Sequence, residues 1–144
     1  MAKNRAYEAG LAVRKRVLGE AHVDRAIAGA SAFDREWQDF VTLHAWGAVW
    51  TRPGLEPRIR SILTIAILAV LGREEELRLH LRATRNTGAT RDEIREALMQ
   101  VAVYAGVPAA NAAFRIAKAA LAEIDSEAEA RPARKRARAK RGTP

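Results

Sequence analysis

Three groups of residues in this chain have types and spacings that could do chemistry. Glu76 and His80 stand four apart in EEELRLHLR, a spacing that puts both side chains on one face of a helix within mutual reach. An imidazole titrates near neutral pH, and an adjacent carboxylate holds its proton and raises its pKa. His80 is therefore a candidate general acid, able to deliver a proton to carbon or oxygen. The plainer alternative is a glutamate suited to the helix dipole beside a surface or core histidine. Arg52, Arg58 and Arg60 surround the start of a long apolar run. Cations there oppose the dipole, so their placement costs something, but with the outward backbone N–H groups they could form an anion site. Otherwise their stems reach solvent or meet acids of another helix. Trp46 and Trp50, with His44, precede these arginines. Aromatics four apart on a helix usually belong to a core; here they could also wall a pocket.

Other chemistries are quickly set aside. The chain has no cysteine, which excludes disulfides, thiolate metal sites and thiol catalysis. His22, His44 and His80 lack metal-ligand spacing, no phosphate-binding loop occurs, and no Ser–His–Asp order stands out. The start, MAKNRAYEAG, lacks the apolar core of a secretory signal, so a cytoplasmic protein is expected. The formal charge of +8 is uneven. From Ser126 onward there are seven Lys or Arg against two Glu, and the rest of the chain is close to balanced. RPARKRARAKRGTP has no apolar face and repels itself, which predicts a disordered tail. It is read as a solubilising extension ahead of loose attraction to nucleic acid.

The elements that must position these residues are helical. The 144 residues suffice for one domain, placed at 1–125 with the tail at 126–144. Abundant alanine and few β-branched runs predict an all-α bundle of six to seven helices. Asn4 can cap a first helix ending at Gly19, with Tyr7, Leu11 and Leu18 inward, and a short piece follows over His22–Ala30. Asp34, with Phe33 as a staple, starts a helix whose stripe of Trp37, Phe40, Val41 and His44 has the spacing of a buried face. Pro53 and Gly54 stop it, and Pro57 opens the next. Ile59–Leu71 is apolar nearly all round, as in a buried or a lipid-inserted helix. Its length of about 20 Å falls short of a bilayer core of ~30 Å, so a core helix is expected. Glu74, Glu75 and Glu76 begin the Glu76/His80 helix, Arg82 and Arg85 end it, and Gly88 supplies a left-handed stop. Thr90 and Glu93 form a capping box for a helix reaching Tyr104. Gly106 and Pro108 then make a stop and a restart, and an alanine-rich helix closes the fold.

The segments EAGLAVRKRVLG, AHVDRA, HAWGAVWTRPGL, RSILTIAILAVLGREEELRLHLRATRNTGATRDEI and YAGVPAANAAF, in that order over about Tyr7–Ile124, resemble the carboxymuconolactone decarboxylase family. AWGxxWTRPGL is the most specific of these motifs. The resemblance implies an all-helical fold of the alkylhydroperoxidase D kind and a homo-oligomer, a ring-like hexamer. It also implies cofactor-free conversion of 4-carboxymuconolactone to 3-oxoadipate enol-lactone in protocatechuate breakdown. Peroxidase relatives carry CxxC and then a histidine; Arg73, Glu76 and His80 stand at those positions, so thiol peroxidase chemistry is impossible here. Where such decarboxylases often read YCG, this chain has Tyr104, Ala105 and Gly106.

The implied chemistry suits the residues singled out. The substrate is a lactone with a ring carboxylate and an acetate arm, and loss of CO2 leaves an electron pair that spreads to the lactone carbonyl. No metal or cofactor is needed, because the substrate carries its own electron sink. Arg52 and Arg60 suit the anchoring of the acetate, His80 the acid or oxyanion donor, Glu76 the orientation of His80, and Trp46 and Trp50 the pocket wall. Alternatives are a decarboxylase or isomerase of a related lactone on the same fold, or a non-catalytic helical oligomer with a nucleic-acid-binding tail.

Overall fold

A computed structural model of the protein describes the backbone of residues 2–141 and the side chains of residues 5–131. The chain folds as α1 (Ala2–Leu18), α2 (Glu20–Ala28), α3 (Arg35–Phe40, continuing without a break as a π-helix over Val41–Trp50), α4 (Pro57–Val70), α5 (Glu74–Thr87), α6 (Arg91–Ala105) and α7 (Val107–Arg141). No strand occurs among the described residues, in keeping with the expected all-α bundle. None of these helices is long and apolar enough to cross a membrane.

Helix ends follow local chemistry where it is strong. Gly88 takes φ 82° after α5, and its N–H closes on the Thr84 carbonyl. Thr90 and Glu93 form the reciprocal capping box of α6, and Pro57 sits in the first turn of α4. Weaker signals fail. α1 already begins at Ala2, ahead of Asn4. Asp34 makes no cap bond to α3; its Oδ1 accepts from Ser31 N and Oγ instead. Phe33, expected as a staple, is 97% exposed.

Two cores share α5. In the larger, Ile65, Leu77, Leu81, Ile94 and Leu98 close over an alanine face of α7 that includes Ala113, Ala117 and Ala120. The smaller packs Val13 and Val17 of α1 and Ala83 of α5 around Trp46. The fully buried stripe of α1 is Gly10, Val13, Arg14 and Val17; the expected Tyr7, Leu11 and Leu18 are half-buried beside it, and Leu18 packs against the smaller core. Of the stripe expected on α3, only Val41 packs against a core; Trp37, Phe40 and His44 are exposed, and Thr42 and Trp46 are buried instead. From Val41 onward the i→i+5 bonds of the π-helical stretch widen each turn and change which residues share a face.

One further expectation is corrected. α4 is not buried all round, because Leu63, Ile67 and Val70 face out. The backbone of α7 is helical to Arg141. Arg82 and Arg85 of α5 pair with Glu123 and Glu127 at 2.5–2.7 Å, and Arg91 pairs with Asp125. These contacts carry α7 past the end of the core.

α1 meets the π-helical stretch backbone to backbone. A Cβ on Gly10 would lie 2.6 Å from Gly47 N, and one on Gly47 would lie 2.5 Å from the Ala6 carbonyl oxygen. Neither obstacle is a flexible side chain, so α1 would have to move away. Gly47→Ala is expected to destabilise the protein by about 1–3 kcal/mol. Gly54→Ala, whose Cβ would meet nothing within 4 Å, should be near neutral. Thermal unfolding of both variants beside the parent checks the pair; equal midpoints would disprove the close crossing.

Candidate active site

His80 projects from the middle of α5 into the seam between the two cores. Trp46 and Trp50 lie one above the other on the π-helical stretch, ring centroids 4.9 Å apart. The His80 imidazole is 6.4 Å from Trp46 with the planes only 7° apart, and 6.3 Å from Trp50. The two indoles and the imidazole therefore form one aromatic cluster, uniting three of the residues singled out from sequence. His44 belongs elsewhere, with its ring 4.4 Å from Phe40.

The electrostatics of His80 reverse the expectation. Burial pushes its pKa down from 6.5 to about 4, and the Glu76 carboxylate pulls it back only in part. Glu76 is exposed, and no hydrogen bond joins it to His80 among the described residues. An exposed carboxylate acts through solvent, whereas burial acts directly on the charged imidazole. His80 is consequently neutral at pH 7, not a standing imidazolium. Its Nδ1 is buried without a hydrogen-bond partner, so that nitrogen is uncommitted.

The arginines do not converge as a triplet. Arg58 pairs with Glu93, the glutamate of the α6 capping box. Arg60 Nη2 donates to the Arg52 carbonyl at 3.0 Å, and Arg60 Nε is buried with no partner. Arg52 follows Trp50 by two residues, which attaches the Arg52–Arg60 contact directly to the aromatic wall. A separate cleft of about 310 Å³ beside the start of α4 is lined by Arg16, Glu56, Arg58 and Thr87, among others.

Sequence reading missed Arg14. It lies in RKR, which looks like a solvated charge run, but only 6% of its surface is exposed. Its Nη1 donates to Thr42 Oγ1 at 3.0 Å and its Nη2 to Gln38 Oε1 at 2.9 Å. Its place on the Gly10–Val13–Val17 face was the available signal, and that face is recognisable only once the glycine is seen as an inward position.

The molecule is an all-helical bundle that sets a neutral imidazole beside two stacked indoles, with Arg52 two residues beyond the second of them. The sequence profile of the Carboxymuconolactone decarboxylase family matches residues 35–119; the chain belongs to that family. It is 50% identical over 112 residues, 78% of its own length and 84% of the relative's, to 4-carboxymuconolactone decarboxylase of Acinetobacter baylyi. It is 44% identical over 104 residues, 72% of this chain and 73% of the relative, to nitrosuccinic acid decarboxylase of Metarhizium robertsii. A 4-carboxymuconolactone decarboxylase of Pseudomonas putida aligns at 45% identity over 47 residues, 33% of this chain and 98% of that sequence.

The neutral His80 has a consequence for stability. In the unfolded chain its pKa returns to about 6.5, so below that pH the unfolded state takes up a proton that the folded state refuses until about pH 4. The contribution from His80 is complete above pH 6.5 and is lost as pH falls toward 4, at up to about 1.4 kcal/mol per pH unit. His80→Gln should flatten this part of the acid limb. Urea unfolding of parent and variant at pH 7, 6 and 5 checks it, and equal slopes would contradict a buried neutral imidazole.

Proposed function

We propose that the protein is a cytoplasmic, cofactor-independent decarboxylase that converts 4-carboxymuconolactone to 3-oxoadipate enol-lactone. The stacking of His80 against Trp46 and Trp50 carries this reading, and the 50% identity to the Acinetobacter baylyi enzyme names the substrate.

The reaction asks little of a protein. The C–CO2 bond breaks, CO2 leaves, and the electron pair moves through the ring double bond onto the lactone carbonyl oxygen. Arg52 and Arg60 hold the acetate arm by charge-assisted bonds. The indoles exclude water, which strengthens every remaining electrostatic contact. A neutral imidazole has one N–H and one free nitrogen. The N–H stabilises the oxyanion without bringing a full charge into the apolar cluster. As the dienolate collapses, this proton passes to carbon while a solvent proton enters at the other imidazole nitrogen, so that no imidazolate forms. It is neutral before and after, and each turnover consumes one solvent proton. Glu76 then acts from the rim, on the orientation of His80, and is less important than His80 itself.

The relative named for nitrosuccinic acid supports a second reading, in which the same site decarboxylates another acid whose electron sink lies beside the departing group. Assays with freshly generated 4-carboxymuconolactone and with nitrosuccinate separate the two.

Self-association is part of the proposal. Leu63, Ile67 and Val70 on α4, and Met99, Val103 and Tyr104 on α6, leave apolar side chains in water, and α4 packs on α6. A second copy of the chain would cover them, giving a homo-oligomer.

His80→Ala should lower kcat by ~10²–10³. Arg60→Met should chiefly raise KM, by ~10- to 100-fold, as expected for one lost charge-assisted bond. Spectrophotometric decarboxylation measures both. A folded His80→Ala protein working at the parent rate would remove the imidazole from the chemistry. Ile67→Asp should shift the mass in light scattering to a smaller species, and an unchanged mass would place the subunit contact elsewhere.

A further inference from the structure

Arg14 takes no part in the chemistry above, yet it is buried in a place that disfavours its charge. Burial draws its pKa down, its Nε finds no partner, and its two hydrogen bonds go to an uncharged hydroxyl and an uncharged amide. No ion pair to Arg14 occurs among the described residues. A buried guanidinium without a carboxylate costs free energy that a methionine there would not. Stability alone therefore gives a poor account of it.

Its partners sit at a particular place in the backbone. Thr42 Oγ1 accepts from Arg14 and donates to the Gln38 carbonyl at 2.8 Å. A hydroxyl bonded to the carbonyl four residues back competes with the helix ladder and bends it. Gln38 and Thr42 bracket the junction at which α3, ending at Phe40, becomes π-helical from Val41. Arg14 grips both sides of that junction from α1. Trp46 and Trp50 are the residues four and eight beyond Thr42, and the register set at the junction decides which way their indoles point.

We propose that Arg14 is a positioning residue. With Thr42 it holds the α-to-π change between Phe40 and Val41, and through it the Trp46–Trp50 stack against His80. The catalytic part of this inference rests on the function proposed above; the geometric part does not. Stacked indoles couple their transitions, so the Trp pair should give an exciton couplet in the circular dichroism of the ligand-free protein, identified by its loss in Trp46→Phe. Arg14→Met and Thr42→Val should keep the helical far-ultraviolet signal and a cooperative unfolding transition. Both should reduce or shift the couplet and lower kcat by ~10- to 100-fold, with KM little changed. Arg14→Lys, which can still reach Thr42, should restore part of both signals. The double variant should be no worse than the more damaging single one, because both break the same link. If Arg14→Met does not fold, Thr42→Val alone decides the matter. A variant that melts earlier but keeps the parent couplet and kcat would reduce Arg14 to a structural residue and overturn the proposal. A parent protein with no decarboxylase activity would defeat the proposed function, and the couplet would still judge the link.

Discussion

The crossing of α1 over the π-helical stretch is the constraint on which the site depends. At Gly10 and Gly47 the two backbones approach so closely that neither residue has room for a methyl group. That approach brings Val13 and Val17 against Trp46, and it places Arg14 within hydrogen-bonding reach of Thr42 and Gln38. With α1 one side chain farther away, the smaller core would open and Trp46 would lose its backing. Trp50 and His80 stack in turn on what Trp46 defines. Interiors are close-packed, so a displacement at the crossing passes on rather than being absorbed.

At His80 two opposing effects compete, and their magnitudes decide the outcome. A carboxylate about 4 Å away in water is worth only ~1 kcal/mol, and Glu76 lies on the wet side of α5. Full desolvation can shift a group by ~3–5 pKa units. Burial between the two cores therefore prevails. The chemistry available changes with it, from an acid waiting with its proton to a neutral donor that relays one. An enzyme whose substrate brings its own electron sink and its own negative charge can work with such a donor, because the oxyanion itself draws the proton.

The same sharing of elements explains the outer surface. α5 serves both cores and carries His80, so its remaining face is left to Arg78, Arg82 and Arg85, which meet Glu123 and Glu127 of α7. Exposed pairs of this kind contribute little individually, but as a chain of contacts they keep α7 aligned beyond the alanine face. α4 lends one face to the larger core and leaves the other apolar and open, a division that a composition uniform around the helix does not reveal.

Local chemistry was legible in advance wherever a few neighbouring residues decide the matter. The left-handed Gly88, the Thr90–Glu93 capping box, Pro57 at the start of α4, the count of helices and the pairing of His80 with a tryptophan wall all follow from spacing, propensity or family likeness. Features that depend on contact between distant segments were not legible. The π-helical register, the inward Arg14, the commitment of Arg58 to Glu93 and the outward half of α4 each require two helices to be placed before either side chain has an environment. The pKa of His80 belongs with them. Sequence determined which groups could titrate, cap, stack or carry charge, because these are properties of a residue and its near neighbours. Tertiary structure alone decided which of those groups would be stripped of water, because desolvation is a property of everything packed around them.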